Sequence, residues 1–319
     1  MINGIPKISV LIICYKQEEL IKRAINSLLA QKDYIYEICV SDDCSPDRTW
    51  EVLQEYDRQY PGLFKLHRNE HNVGIFENFE QTWSMATGDL IYQLSGDDEC
   101  GPDWFETVVS FIREHHINWK DDPYCIYGDF KSIYPNGDEM IFKNNLIDSG
   151  LDPIYLSFRT VIGNRSVCFS RKVLDRFETV SQGRSHIAEF AQEVQVQLYS
   201  DANYYIPHVG NIYYANVGIS NTTSSDKYFD ERQQIVPYAI KLVESKGIVL
   251  DKRLYRYYKA NNAEKAFYNK KNPITFIEML YCKLLSYDSR IGLKSIGLKR
   301  TLFAIFRRFP HSKPISWYV

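Results

Sequence analysis

Two short acidic segments in the N-terminal third of this 319-residue chain carry side chains that could bind a metal ion. The first contains Asp42 and Asp43, and the second contains Asp97 and Asp98. Mg²⁺ and Mn²⁺ prefer oxygen ligands, and Mg²⁺ usually takes one or two carboxylates and completes its shell with phosphate and water oxygens. The segments therefore predict a divalent ion that joins the protein to a phosphate-containing ligand, although each alone also fits a helix cap.

Both acidic segments follow directly after predicted strands. Apolar, β-branched runs alternate with amphipathic stretches, which is typical of a parallel sheet with helices between its strands. The strands are predicted at residues 8–14, 38–41, 64–67 and 90–94, and the helices at residues 18–31, 48–60 and 76–86. Because ligands bind outside the carboxyl ends of the strands in open sheets of this kind, we expect the two segments to face one crevice.

The remaining pattern predicts further strands and helices, and then a purely helical region. A Pro-Asn-Gly turn at residues 135–137 predicts a hairpin, and a pair of short strands closes the sheet. The predicted elements are helices at residues 102–115 and 185–199, strands at 125–128, 130–134, 139–142 and 167–169, and the closing pair at 204–206 and 212–216. We predict a catalytic domain over residues 1–225 and a helical extension over residues 226–319, divided at the polar stretch NTTSSDK.

Three segments, in order and at matching spacing, resemble the family 2 glycosyltransferases, inverting sugar transferases with the GT-A fold. The opening ISVLIICYKQEELIKRAINSLLAQ is similar to the family's first strand and helix, and VSDDCSPDRTWEVL is similar to its first acidic motif. The third segment, NVGIFENFEQTWSMATGDLIYQLSGDD, matches the run that ends in the metal motif. The resemblance covers about residues 8–219 and implies an α/β GT-A fold, that of nucleotide-diphospho-sugar transferases.

The resemblance also implies roles for five residues at the donor site. Tyr15 would pack on the nucleobase, and Asp43 would accept a hydrogen bond from one of its ring N–H groups. Asp97 would lie near the ribose, and Asp98 would bind Mn²⁺ or Mg²⁺. Arg165 would face the leaving diphosphate or a phosphate of the acceptor, and a surface arginine without such a role is the alternative. The family motif is Asp-x-Asp, but this chain has Ser95 at the first position, which leaves open which carboxylate binds the metal.

Inverting transfer requires a base, because the acceptor hydroxyl must lose its proton as it attacks the anomeric carbon. The family places this base near the start of a helix, and Glu193 occupies the matching position, with Glu189 one turn earlier as the alternative. Family members often carry Tyr-Arg-x-His after the following strand. Here that stretch begins at Tyr214 and reads Tyr-Ala-Asn-Val, so a diphosphate-facing Arg and a His are missing.

We therefore expect a metal-dependent inverting glycosyltransferase whose favoured donor is a UDP-sugar. Its acceptor would be a hydroxyl of a lipid-linked oligosaccharide or of a cell-surface polysaccharide such as a capsule or an O-antigen. One alternative is a non-catalytic GT-A-like protein that binds sugar nucleotides. A nucleotidyltransferase is disfavoured, because CYKQEE after the first strand lacks the glycines of a phosphate-binding loop.

Composition limits the other classes. A net charge of −2 with 24% charged residues disfavours a general nucleic-acid binder. Seven scattered cysteines without a Cys-x-x-Cys pair, no leader pattern and no apolar run of about 20 residues predict a cytoplasmic protein with reduced thiols. Residues 290–319 are basic and amphipathic, without Asp or Glu, which predicts peripheral contact with the anionic inner face of the cell membrane. Packing on the domain or on a second copy in a homodimer is the alternative.

Overall fold

The computed structural model describes residues 4–159, 163, 165–178, 188–215, 217, 225–270 and 273–292. Its strands are β1 (Ile8–Cys14), β2 (Ile35–Asp42), β3 (Phe64–Arg68), β4 (Leu90–Ser95), β5 (Glu99–Cys100), β6 (Tyr124–Ile133), β7 (Glu139–Phe142), β8 (Val167–Ser170) and β9 (Ala202–Tyr214). Its α-helices are α1 (Leu20–Leu29), α2 (Thr49–Gln59), α3 (Ile75–Met85), α4 (Trp104–Glu114), α5 (Pro153–Phe158), α6 (Arg171–Leu174), α7 (Ala188–Tyr199), α8 (Ser225–Ser245), α9 (Lys252–Lys270) and α10 (Pro273–Leu285).

The described strands form one mixed sheet in the order β3-β2-β1-β4-β8-β6-β9-β5, with β7 paired to β6. The pairs β1–β2, β2–β3, β1–β4 and β6–β9 are parallel, whereas β8 runs antiparallel to both β4 and β6. The predicted mixed, mainly parallel sheet flanked by helices is confirmed. The chain crosses from one side of β1 to the other between β3 and β4, which opens a crevice at the carboxyl ends of β1 and β4.

The central strand β1 is apolar on both faces because helices cover the sheet on both sides. Ile8, Val10 and Ile12 pack into one core cluster with the buried face of α1, and Leu11 packs into a second cluster on the opposite face. This alternation follows from the two-residue period of a strand. The apolar runs in the N-terminal sequence therefore form the middle of the sheet and leave the polar residues at its ends.

The predicted closing pair of strands at residues 204–206 and 212–216 is wrong, because β9 is one continuous strand of 13 residues. The Pro207 and Gly210 positions suggest a break, but the pairing of β9 with β6 shifts register between Tyr127 and Asp129 and resumes beyond it. Proline is tolerated at such an irregularity because it has no N–H to donate to the ladder. The strands predicted at residues 125–128 and 130–134 likewise form the single strand β6.

Two glycines let β6 and β9 pass closely over the indole ring of Trp104 at the start of α4. A Cβ atom at Gly128 would lie 2.6 Å from the ring, and one at Gly210 would lie 2.7 Å from it. Any larger residue at either position would displace a fully buried tryptophan. The glycine in β9 is thus a packing requirement of a strand interior rather than a turn signal.

The C-terminal helices share the core of the sheet. Residues of α8 and α9 join the cluster that contains Leu11 of β1 and Ile91 of β4, and they include Val236, Ala239, Val243 and Leu254. The helical pattern predicted after residue 228 is confirmed by α8, α9 and α10, while the division at residue 225 stays a prediction. None of the described helices has the length and apolar character that crossing a membrane requires. The basic segment of residues 293–319 lies outside the described residues.

A buried ion-pair network fastens the turn after α10 to α5 and α9. The Asp288 side chain is fully buried and accepts hydrogen bonds from the Tyr155 hydroxyl (2.9 Å) and from Arg290 Nε (2.9 Å). Arg253 Nη1 lies 3.1 Å from the same carboxylate. The hydrogen bonds from Arg290 hold the pKa of Asp288 well below its ordinary value, despite the opposing effect of burial.

We expect Asp288→Asn to lower the free energy of unfolding by about 2 kcal/mol at pH 7, because it leaves two arginines without their counter-charge. The loss is smaller than for a fully buried pair, because Arg253 and Arg290 are 41% and 44% exposed. Since the folded pKa of Asp288 lies below its ordinary value of 3.8, this stabilisation is complete above that pH and disappears as the pH falls below it. Urea denaturation at pH 7 and at a series of pH values from 4 down to 2 measures both effects.

The matched control is Asp251→Asn, at the periphery of the same network. Asp251 accepts a hydrogen bond from the Arg253 backbone N–H (2.8 Å) at the start of α9, and asparagine caps helices as well as aspartate does. We expect a change of less than about 0.5 kcal/mol. Equal losses for the two variants, or a wild-type advantage over Asp288→Asn that stays constant in acid, would contradict the assignment.

Candidate functional site

The carboxyl ends of β1, β2 and β4 meet at one edge of the sheet, as the sequence predicts. Cys14 at the end of β1 pairs with Asp42 of β2, and Ile13 pairs with Ser95 at the end of β4. The Asp43 N–H donates to the Cys14 carbonyl (3.0 Å), which places the two acidic segments on either side of Tyr15. Tyr15 is half-buried, and the Lys16 ammonium lies 5.2 Å from its ring centroid.

The two aspartates after β2 have different environments. Asp42 is fully buried, accepts hydrogen bonds from the Ser45 N–H and hydroxyl, and lies 3.3 Å from Arg68 Nε. Burial raises the pKa of Asp42 above its ordinary value, although these hydrogen bonds oppose the shift. Asp42 therefore holds the turn after β2 and is set back from the crevice.

Asp43 holds the loop that leads into α3. Its carboxylate accepts hydrogen bonds from the Val73 N–H (2.8 Å), the Gly74 N–H (2.9 Å) and the Asn69 side-chain amide (3.0 Å). Gly74 has a positive φ of 93°, a conformation that favours glycine. Asp43 thus orders this loop, and a ligand that donated a hydrogen bond to it would share an acceptor already used by the backbone.

The acidic segment after β4 is a tight turn in which the Asp98 N–H donates to the Ser95 carbonyl (3.1 Å). Asp98 is only 2% exposed, and Arg165 Nη1 lies 3.1 Å from its Oδ2 atom. The Tyr214 N–H donates to its Oδ1 atom at 3.3 Å. The structure thus brings the predicted metal ligand and the predicted diphosphate-binding arginine into direct contact, while Asp97 beside them is half-buried.

Two arginines stacked on neighbouring tyrosines neutralise this turn. The Arg165 guanidinium lies 3.8 Å from the Tyr213 ring centroid, and the Arg23 guanidinium lies 3.4 Å from the Tyr214 ring centroid. Arg23 also donates to the Asp97 carbonyl, and its Nε lies 3.4 Å from Glu99 Oε1. Because neighbouring residues of a strand point to opposite faces, the end of β9 holds one arginine on each face.

The Tyr214 hydroxyl completes the cluster by donating to Glu99 Oε1 (2.7 Å). Burial raises the pKa of Tyr214 to about 12, and the hydrogen bond to Glu99 adds to the shift. The hydroxyl therefore stays protonated at neutral pH and remains a donor.

Glu193 lies on α7, which packs against β6. Glu193 is 8% exposed. The pKa of Tyr127 on β6 is raised mainly by burial, and the charges of Cys125 and Glu193 add to this shift. Tyr127 pairs with Val167 of β8, two residues after Arg165. Glu193 therefore lies near the same end of the sheet as the ion pair of Asp98 and Arg165. The side chain of Glu189, the alternative base, is not among those that the structure describes.

The sequence prediction missed Arg23, Tyr213 and the role of Glu99. Arg23 is 74 residues from the Asp97 carbonyl that it contacts, so no local pattern signals the contact. The repeated tyrosine at the end of β9 was the one available signal, because aromatic rings at a strand end beside carboxylates attract arginine.

A divalent ion would find carboxylates here but no complete ligand set. Among the described residues, no group of three or more His, Cys, Asp or Glu side chains is arranged to hold a metal ion. Asp97 and Asp98 fit an ion that takes most of its ligands from a diphosphate and water. Because the Asp98 carboxylate already contacts a guanidinium, such an ion would have to share Asp98 with Arg165 or replace it.

All seven cysteines have free thiols, and six of them are buried. Burial raises the pKa of Cys14, the cysteine at the end of β1, well above its ordinary value, so it is a neutral thiol packed under the crevice. Cys14 therefore contributes packing and no thiolate chemistry to this edge of the sheet.

Comparison with known proteins bears on the family and the fold of the chain. Residues 9–166 match the model of Glycosyl transferase family 2. The putative glycosyltransferase EpsE of Bacillus subtilis is 29% identical over 181 residues, which cover 54% of this chain and 65% of that protein. The uncharacterized protein Rv1520 of Mycobacterium tuberculosis is 35% identical over 130 residues, which cover 40% of this chain and 36% of that one. The matches thus span less than two thirds of the length of these relatives.

Among solved structures, residues 1–349 of S. aureus TarS in complex with UDP-GlcNAc have a similar fold. The TM-score is 0.60 at 15% sequence identity, and the match covers 95% of this chain and 92% of that one. At this identity the similarity concerns the fold, and it confirms the GT-A architecture predicted from the sequence.

Proposed function

Because residues 9–166 of this chain form a glycosyltransferase domain of family 2, we propose that the protein transfers a sugar from a nucleotide-sugar donor to an acceptor hydroxyl. The observation that carries the proposal is the convergence of Tyr15, Asp43, Asp97 and Asp98 at the carboxyl ends of β1, β2 and β4. A half-buried aromatic ring beside a buried carboxylate suits a nucleobase, and the acidic turn with its two arginines suits a diphosphate and its counter-ions.

We assign the donor groups as follows. Tyr15 packs on the nucleobase, and Asp43 accepts a hydrogen bond from one of the ring N–H groups of the base. Asp97 accepts a hydrogen bond from a ribose hydroxyl. Arg165 turns from Asp98 to the diphosphate when the donor binds, and Arg23 holds the turn in place. Arg165 thereby supplies the positive charge that the absent Arg of the Tyr-Arg-x-His pattern would otherwise provide.

Asp98 and Asp97 would hold Mg²⁺ or Mn²⁺. Such an ion, when bound, would neutralise charge on the diphosphate and make it a better leaving group. The presence of a buried, charge-compensated aspartate at the end of β4 supports this assignment. A UDP-sugar is the donor class to test first.

Transfer would proceed with inversion by a single displacement. The acceptor oxygen forms a bond to the anomeric carbon while the bond from that carbon to the diphosphate breaks, and the acceptor proton passes to the Glu193 carboxylate. We propose a hydroxyl of a lipid-linked oligosaccharide or of a cell-surface polysaccharide as the acceptor, as the family resemblance implies.

The first test is incubation of the full chain with UDP-, GDP- and dTDP-sugars, in the presence of Mn²⁺ or of EDTA, with release of nucleoside diphosphate as the readout. We expect slow hydrolysis of the sugar nucleotides that carry one of these three nucleotides, and we expect EDTA to reduce the rate at least 10-fold. Calorimetric titration with the free nucleoside diphosphates identifies the preferred base independently of turnover.

A non-catalytic sugar-nucleotide-binding protein is the second candidate, and the contact of Arg165 with Asp98 is the observation that favours it. A carboxylate permanently paired with arginine would bind no metal. Tight binding of a nucleoside diphosphate without release from any sugar nucleotide, even with candidate acceptors, would select this function. Absence of nucleotide binding would reject both candidates.

A further inference from the structure

The helix α10 presents an apolar stripe that no described residue covers. Its exposed large side chains are Ile277 (65% exposed), Tyr281 (61%), Leu284 (69%) and Leu285 (41%). Their spacing of three or four residues places them along one side of the helix. The opposite side is buried against α9 through Met279 and Cys282, among others. The stripe is therefore the outer side of a helix whose other side is packed against α9.

The charge of the chain is strongly asymmetric about this region. Residues 252–319 contain fifteen Lys and Arg and three Asp and Glu, a net charge of +12. Since the whole chain has a net charge of −2, the first 251 residues have a net charge of −14. Part of the positive charge lies on the exposed side of α9, which packs against α10 and carries Lys252, Arg256 and Lys259.

We propose that the α9–α10 hairpin is a docking surface for an anionic lipid bilayer. Large apolar and aromatic side chains on a positively charged helical surface are typical of segments that lie in the headgroup region of such a membrane. The inference concerns described residues upstream of the basic C-terminal segment, and it does not depend on the proposed function.

A second copy of the chain is a poorer occupant of this surface. A two-fold interface would bring the same patch of each copy onto itself. Two hairpins whose residues 252–285 each carry eight Lys and Arg and two Glu, a net charge of +6, would then repel one another. A stable dimer also buries about 20 to 30 residues on each side, whereas the stripe has four large apolar side chains. Nucleic acid would use the charge, but it would leave the apolar stripe in water.

The test is co-sedimentation of the full chain with large unilamellar vesicles at physiological salt. The vesicles contain phosphatidylcholine alone or phosphatidylcholine with about 30% phosphatidylglycerol, an anionic lipid that attracts basic protein surfaces. We expect at least 10-fold stronger binding to the anionic vesicles. The double variant Ile277→Gln with Leu284→Gln should weaken this binding about 10-fold or more, because it removes the two most exposed apolar side chains of the stripe.

The matched control is Val249→Gln, which changes an apolar residue that is 93% exposed but lies between α8 and α9, outside the stripe. It should bind vesicles as the wild type does, and circular dichroism should give the same helix content for all variants. Unchanged vesicle binding of the stripe variant, or equal binding to both kinds of vesicle, would overturn the proposal. A wild-type dimer that the stripe substitutions dissociate, without vesicle binding, would assign the surface to a second copy.

Discussion

Glu193→Gln is expected to lower the rate of sugar transfer about 10³-fold while leaving donor binding within a factor of two of the wild type. Removal of a positioned general base typically costs about 10² to 10⁴ in rate. Glutamine has the same shape as glutamate, and the side chain is 8% exposed on α7, so the helix should keep its packing. Transfer to an identified acceptor and calorimetric titration of the donor measure the two quantities.

Donor hydrolysis separates this effect from a structural one. Water can replace the acceptor, so slow hydrolysis should also fall in Glu193→Gln, whereas the dissociation constant of the nucleoside diphosphate should not change. Glu114→Gln, an exposed carboxylate at the end of α4, is the control and should behave as the wild type. Transfer by Glu193→Gln at more than about a tenth of the wild-type rate would contradict the assignment and direct attention to Glu189.

Asp98→Asn is expected to lower turnover of the donor about 10² to 10³-fold. The proposed reason is electrostatic, because Asp98 is the buried carboxylate that would hold a divalent ion against the diphosphate. The substitution keeps the shape of the side chain and its acceptor for the Tyr214 N–H. It removes the charge that pairs with Arg165.

Binding of Mn²⁺, followed by electron paramagnetic resonance with and without nucleoside diphosphate, distinguishes a metal ligand from a purely structural residue. The wild type should bind Mn²⁺ weakly alone and at least 10-fold more tightly with nucleotide, because Arg165 contacts Asp98 and the proposed shift of Arg165 to the diphosphate would free this carboxylate. Asp98→Asn should lose the nucleotide-dependent binding. Asp103→Asn, an exposed aspartate whose positive φ of 54° asparagine also tolerates, is the control. Unchanged Mn²⁺ binding in Asp98→Asn would contradict the role.

The fold of the N-terminal half could be predicted because its signals are local. The period of the apolar residues in β1 and α1 distinguishes a strand from a helix, and the turn residues after β2 and β4 mark the sheet edge. The continuity of β9 could not be predicted, because Pro207 and Gly210 are ordinary breakers and only their partners, the register shift and Trp104, explain them. Such partners are distant in sequence.

The candidate site shows the same division. The positions of Tyr15, Asp43 and Asp98 followed from strand order, since residues directly after parallel strands share one edge. The contact between Asp98 and Arg165 joins residues 67 positions apart and depends on β8 running antiparallel to β4. The loop held by Asp43 was likewise hidden, because its donors are backbone N–H groups that any residue type supplies.

The network around Asp288 and the core that α8 and α9 share with the sheet pack the described C-terminal helices directly onto the sheet. A glycosyltransferase tied to a bilayer by a flexible linker would sample many heights and orientations above the lipid. Attachment through a hairpin packed on the sheet would instead set a single height and tilt for the crevice at the carboxyl ends of β1 and β4. The height of the crevice above the lipid would then determine which acceptor is used. A saccharide whose hydroxyl lies at that height would meet the crevice at a high effective concentration.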